Sequence, residues 1–304
     1  GGTNPAMRPP APKIKAPGPG LPAAAVWRHL EEEHENGVRA YRRKLAACRR
    51  RLSRHAVHQL RVAIRRLLAG LELLRAVQRD RPAVRGLLQA QLKVLGSLRD
   101  TQVQLQRVEH EARSARVLTP LRQHLRKRRD RREKAARKAL QSDKVAHRLE
   151  RWRLLAAPPR LISRLRRLMD EKLGRAFDPL AGFTPDSPAD AAARHRVRVI
   201  SRQYRYMVET LRPGWQGGEN GRLIANLQAY QEIIGQIHDR ELLLHRIDSL
   251  VIDEKLDPAP IRPFRARLRN EMMKLLKACA QLDRWMFQEA MLARRHLHEN
   301  LPCH

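Results

Sequence analysis

From Val26 onward, apolar residues recur at spacings of three and four, as in Leu60, Ile64, Leu67, Leu71 and Leu74. That period places a stripe along one side of an α-helix. Leu, Ala, Arg, Glu, Gln and Lys, all good helix formers, dominate the chain. No segment shows the apolar–polar alternation of a half-buried strand, so the pattern predicts an all-α chain. It breaks where Pro and Gly gather: at Arg81 and Pro82, at Pro158 and Pro159, over 177–190 (Pro179, Gly182, Pro185, Pro188), over 213–221, and over 257–263. Six prolines within the first 20 residues make 1–22 an extended or disordered tail. The 177–190 segment is the longest internal break and reads as a linker. It separates a first helical unit, 23–176, from a second, 191–304, whose first helix begins near residue 160.

The two units repeat each other. His58, Arg61, Arg65 and Glu72 match His195, Arg198, Arg202 and Glu209 at an offset of 137. Leu-Gly-Ser-Leu-Arg-Asp, ending at Asp100, matches Ile-Gly-Gln-Ile-His-Asp, ending at Asp239, at an offset of 139. Arg122, Arg129, Lys134 and Arg137 fall on Arg262, Arg269, Lys274 and Lys277 at an offset of 140. Three matched blocks in one order, with a slowly growing offset, predict two copies of one helical bundle packed with approximate two-fold symmetry.

Charge narrows the function. The 304 residues carry 63 Lys and Arg against 31 Asp and Glu, a formal net charge of +32. Such a chain folds against its own repulsion, and an anionic partner relieves it. Nucleic acid, an anionic membrane surface and polyphosphate are the candidate partners. Aromatic residues make up only 4%, too few and too scattered to form the stacking platform of a single-strand binder. Cys48, Cys279 and Cys303 form no metal-type pair and no disulfide framework. With no spanning apolar run and no signal peptide, the expectation is a cytoplasmic protein.

On a helix turning about 100° per residue, Arg61, Arg65 and Glu72 lie at about 300°, 340° and 320° from His58. The apolar Leu60, Ile64, Leu67 and Leu71 centre near 220° on the same count. The His–Arg stripe therefore borders the buried face, where arginine stems pack and guanidinium heads meet an anion. The second copy repeats this, with Val197, Tyr204, Val208 and Leu211 supplying the core. Glu209 is four residues from Arg205 and can pair with it within the helix. Glu72 and Glu209 read as structural, since a carboxylate in direct contact would repel a polyanion. Asp100 and Asp239 read as holding Arg or His side chains in place. Gly96 and Gly235, each four residues before an aspartate, read as sites of close helix packing.

The 122–138 segment holds ten Lys or Arg in 17 positions. A subset of these, best represented by the repeat-matched positions, should face the same groove as the stripes. His55 and His58 have the spacing of a helical metal pair, but Ala192 stands at the matching position of the second copy and no acidic cluster accompanies either site. No nucleophile–base pair or glycine-rich phosphate loop is legible. The expectation is a binding protein without catalysis, metal or cofactor.

His58-x2-Arg61-Val62-x-Ile64-Arg65-Arg66-Leu67 resembles the signature of CHAD domains, the conserved-histidine α-helical domains. His195-x2-Arg198-Val199-x2-Arg202-x2-Arg205-Tyr206-x2-Glu209 resembles the downstream copy in that family, and the Leu-Gly-x-x-Arg-Asp segment ending at Asp100 another of its elements. The resemblance covers roughly Val26 to Glu299. It implies two pseudo-symmetric four-helix bundles forming one basic central groove that binds inorganic polyphosphate, and the expected location is the cytoplasm, in association with polyphosphate granules. It implies that His58, Arg61, Arg65, Arg66, His195, Arg198, Arg202 and Arg205 neutralise successive phosphates. Arg122, Arg129, Lys134, Arg137, Arg262, Arg269, Lys274 and Lys277 are further candidates. The Glu-x-Glu-x-Lys strand of the tunnel domain often fused in this family is not found, so the chain is similar to the stand-alone form. Leu68 stands where Arg205 stands in the second copy, and Gln203 where Arg66 stands in the first. Sequence-nonspecific binding of RNA or DNA is the alternative reading.

Overall fold

Amphipathic stretches joined by short breaks fold into α1 (Ala23–Arg50), α2 (Arg54–Val77), α3 (Val84–Glu111), α4 (Thr119–Leu140), α5 (Lys144–Arg151), α6 (Leu161–Phe177), α7 (Ala191–Leu211), α8 (Glu219–Asp253) and α9 (Arg262–Glu299). The computed structural model describes residues 22–77, 84–111, 118–151, 157–177, 191–211, 219–253 and 257–299. No strand occurs among them, and the chain is all-α as its periodicity predicts. The proline-rich tail up to residue 21, the break at Arg81 and Pro82, the linker from 178 to 190, and residues 213–218 of the fourth break lie outside the described residues. No described helix is long and apolar enough to cross a membrane.

Each described break has a local cause. Pro158 and Pro159 lead into α6 through Arg160, which takes up a positive φ of 58°. A 3-10 turn over Ala259–Ile261 leads into α9. The turn between α1 and α2 spans only 51–53 and contains neither Pro nor Gly. There the Ser53 Oγ accepts a hydrogen bond from the Ala56 N–H at 3.1 Å, an N-cap that starts α2.

The apolar faces close three cores. The first joins Tyr41, Leu45 and Cys48 of α1 to Leu60, Ile64 and Leu67 of α2, with residues of α3, α5 and the end of α4. The second joins α6, α7, α8 and α9, and it also takes Val26, Trp27 and Leu30 from α1 and Leu73, Leu74 and Val77 from α2. The third lies at the far ends of α3, α4, α8 and α9, around Leu105, Leu125, Leu243 and Phe264. Hydrophobic packing therefore does not part at the 177–190 segment. α6 packs on α7 and α9, α2 packs on both α6 and α7, and α3 touches α8. The α2–α7 and α3–α8 contacts position the candidate site.

Candidate anion-binding site

The two His–Arg stripes lie on α2 and α7, and the contact between those helices brings them together. Arg61 and Arg65 of α2 and Arg198 and Arg202 of α7 are all half-buried. Burial first, then Arg65, pull the pKa of Arg61 down to about 10, with Arg198 and Arg99 adding to the effect. Burial and then Arg65, Arg198 and Arg61 pull that of Arg202 down to about 9. Arg65 moves the same way, first through burial and then through Arg198. Arg198 is lowered by burial alone, with Asp239, Asp100 and Glu241 opposing. A guanidinium stays protonated at neutral pH, so these shifts describe a recess of crowded positive potential rather than lost charge.

Carboxylates elsewhere are engaged in ion pairs, and none among the described residues pairs with these four arginines. Asp100 and Asp239, expected to hold basic side chains, lie among them but make no hydrogen bond or ion pair with a described residue, and act on the arginines through charge alone. Asp100 favours the charged forms of Arg61, Arg65 and Arg198. Asp239 favours those of Arg198 and Arg99, and its own pKa is raised by burial.

His58 and His195 are exposed at the edge of the cluster. Partial desolvation at this edge, then Arg99, Arg65 and Arg61, hold the pKa of His58 below its ordinary 6.5. The His195 ring lies 5.9 Å from that of His238. His238 is likewise lowered, first by burial and then by Arg198. Arg99 and His238 are the site residues that sequence reasoning did not single out. They immediately precede the matched aspartates, and the repeat was their available signal.

The rest of each stripe is partly engaged within the protein. The Arg205 Nη1 donates to the Glu209 Oε1 at 2.5 Å, and its Nε donates to Gln231 at 3.0 Å. Its guanidinium also lies 4.5 Å from the centre of the Tyr206 ring. Arg66 reaches the other Glu209 oxygen at 3.4 Å, so this carboxylate ties α2 to α7. Glu72, the repeat partner of Glu209, instead pairs with Arg85 of α3 and, at 2.9 Å, with Lys172 of α6. Both glutamates are structural, but they tie different helices.

The α4 and α9 candidates are placed differently. Arg122 is half-buried, and its Nε has no hydrogen-bond partner among the described residues. Arg129 pairs with Asp130 at 2.8 Å. Lys134, Arg137, Arg262, Arg269, Lys274 and Lys277 are exposed. None of these eight is among the groups acting on the four central arginines. No three His, Cys, Asp or Glu converge as a metal-holding group among the described residues.

The matched glycines differ as well. A Cβ built on Gly96 would stand 2.7 Å from the Arg61 Nη1, whereas one built on Gly235 would meet nothing within 4 Å. Gly96 thus accommodates a guanidinium, where close helix packing was expected, and Gly235 faces open space. Arg61 is further held by donating to the Leu92 carbonyl at 3.3 Å. Either Gly→Ala change is expected to add about 0.5–1 kcal/mol of helix stability. Gly96→Ala should nevertheless displace the Arg61 head and weaken anion binding, while Gly235→Ala should leave binding unchanged. Paired melting and titration curves check this, and equal binding by both variants would remove the proposed role of Gly96.

A family model described as CHAD domain matches residues 27–248. The chain is similar in structure to the CHAD domain from the plant Ricinus communis, at a TM-score of 0.66 and 24% identity, covering 96% of this chain and 98% of that one. It is also similar to PptA from Streptomyces chartreusis, at a TM-score of 0.62 and 18% identity, covering 87% and 98% respectively. No curated protein matches the chain.

Proposed function

We propose that this chain, which belongs to the CHAD domain family, binds inorganic polyphosphate and does not transform it. The observation that carries the proposal is the meeting of Arg61, Arg65, Arg198 and Arg202, drawn from two helices, with no carboxylate in ion-pair contact among the described residues. Guanidinium groups present paired N–H donors that match phosphate oxygens. Four of them in a half-buried recess hold anionic oxygens more strongly than the same charges would in open solvent. Phosphate recognition needs no base contacts. Tyr206 already lies against Arg205 and Arg66, so it offers no open stacking platform for a base. The net charge of +32 supplies long-range attraction.

The test is competition between long-chain polyphosphate and single-stranded RNA at equal phosphate concentration. Polyphosphate is expected to win, and displacement by RNA would transfer the reading to nucleic-acid binding. Salt provides a second measure. If four phosphate contacts dominate, affinity should fall about a hundredfold between 50 and 200 mM salt, along a straight line in log–log form. A flat salt response would mean that the site does not work by charge neutralisation.

A further inference from the structure

The charge of α2 does not end at the central cluster. Arg54, His58, Arg61 and Arg65 follow one another at spacings of four, three and four, a single stripe about 16 Å long. At its N-terminal end lies a hollow of about 360 Å³ between the 51–53 turn and α4, lined by Arg51, Arg54, Arg129 and Arg137 together with Gln102 and Glu133. The Gln102 side chain donates to the Leu52 carbonyl at 2.9 Å, which fixes the turn that carries Arg51. Arg129 is partly neutralised by Asp130 and by Glu133 at 3.9 Å. Arg51, Arg54 and Arg137 are exposed, and none of them takes part in an ion pair with a described residue.

This hollow is electrostatically continuous with the centre. Arg54 is the charge that most opposes protonation of Arg99, and Arg99 plays the same part for His58. It is also one-sided. The offset of 137 that maps one stripe onto the other puts Pro188 and Ala191 at the positions of Arg51 and Arg54. The second copy therefore lacks both arginines.

Resting on the polyphosphate reading above, we propose that the Arg51–Arg54–Arg137 hollow is a second phosphate foothold. It takes up the part of a long polyphosphate chain that leaves the central arginines along α2, and it gives the bound chain one preferred exit. A linear chain with close phosphate spacing can occupy both places at once. Each then raises the effective concentration of ligand at the other. A short chain held at the centre does not reach the hollow.

The experiment compares Arg51→Gln/Arg54→Gln/Arg137→Gln with a control in which Arg262, Arg269 and Lys274 are all changed to Gln, each in the full chain. Affinity is measured for tripolyphosphate and for long-chain polyphosphate. All six side chains are exposed, so both variants should fold, and a melting curve verifies it. The hollow variant is expected to lose about tenfold or more in long-chain affinity while tripolyphosphate binding stays within about twofold. The α9 control should lose less on the long chain. Equal long-chain losses in the two variants, or an equal loss for tripolyphosphate in the hollow variant, would overturn the foothold. An Arg65→Gln/Arg202→Gln variant tests the underlying reading separately. If it binds normally, the central site fails; if it binds poorly while the hollow variant binds normally, the foothold alone fails.

Discussion

Changing Arg65 and Arg202 together to glutamate is expected to weaken long-chain polyphosphate binding by at least about a hundredfold. Charge-assisted hydrogen bonds contribute about 1.5–3 kcal/mol each, and the two substitutions also place carboxylates where the anion would sit. The two residues come from different helices, α2 and α7, and Arg65 is the first arginine acting on Arg202. Reversing either one alone leaves the other half of the cluster in place, so the double variant should lose more than half-site binding can recover. Changing the exposed Arg269 and Lys277 to glutamate alters net charge by the same amount away from the cluster. Its loss should be far smaller, because exposed charges are screened within about 10 Å at 0.1 M salt. Equal losses in the two double variants would mean that net charge alone governs binding.

The same crowding predicts a stability change of opposite sign. Four half-buried guanidiniums without ion-pair partners among the described residues repel one another in the free protein. Arg202→Met keeps much of the packing of the side-chain stem while removing a charge. The free protein should therefore melt at a higher temperature as binding is lost, a trade between stability and activity seen where a site stores unfavourable contacts. A variant that loses both stability and binding would show that Arg202 is chiefly a packing residue.

The stripes were legible in the sequence because their geometry is that of one helix: positions 58, 61 and 65 share a face wherever that helix lies. Their meeting was not legible from periodicity alone, since it depends on α2 packing against α7. The repeat predicts equivalent positions, yet it does not say which helices share a core. The second core takes both ends of the α1–α2 pair into the second half. The turn at 51–53 escaped the search for Pro and Gly because Ser53 alone starts α2. On α4 only the repeat, and no apolar stripe, was available to say which basic residues face the groove: its buried residues are Leu121, Leu125, Ala136 and Leu140, which leave its middle outside the core. Gly96 was misread because a vacant Cβ position can admit a long side chain as well as another helix, and here it admits Arg61.

Affinity for polyphosphate is expected to rise as pH falls from about 8 to about 6. In the free protein His58 and His238 are held below the ordinary imidazole value by burial and by neighbouring arginines. Polyphosphate bound beside them offsets the positive potential of the arginines and favours the imidazolium. The complex therefore binds more protons than the free protein, and by linkage acid strengthens binding. Each unit by which a histidine pKa rises on binding contributes up to about tenfold. The free protein should show the reverse trend in stability. A histidine whose folded pKa lies below its unfolded value of 6.5 lets the unfolded chain take up more protons as pH falls, so stability declines below about that pH. Asp239, raised by burial, acts in the opposite sense on stability, and its protonation further favours the anion. On acidification, then, the melting temperature without ligand should drop through the histidine window while the increase produced by polyphosphate grows. Calorimetric titration in two buffers of different ionisation enthalpy measures the proton uptake directly. His58→Gln/His238→Gln should flatten the pH dependence of binding while leaving affinity near pH 8 almost unchanged. Unaltered pH dependence in that variant would assign the proton to Asp239 or to another group and end the role given to the two imidazoles.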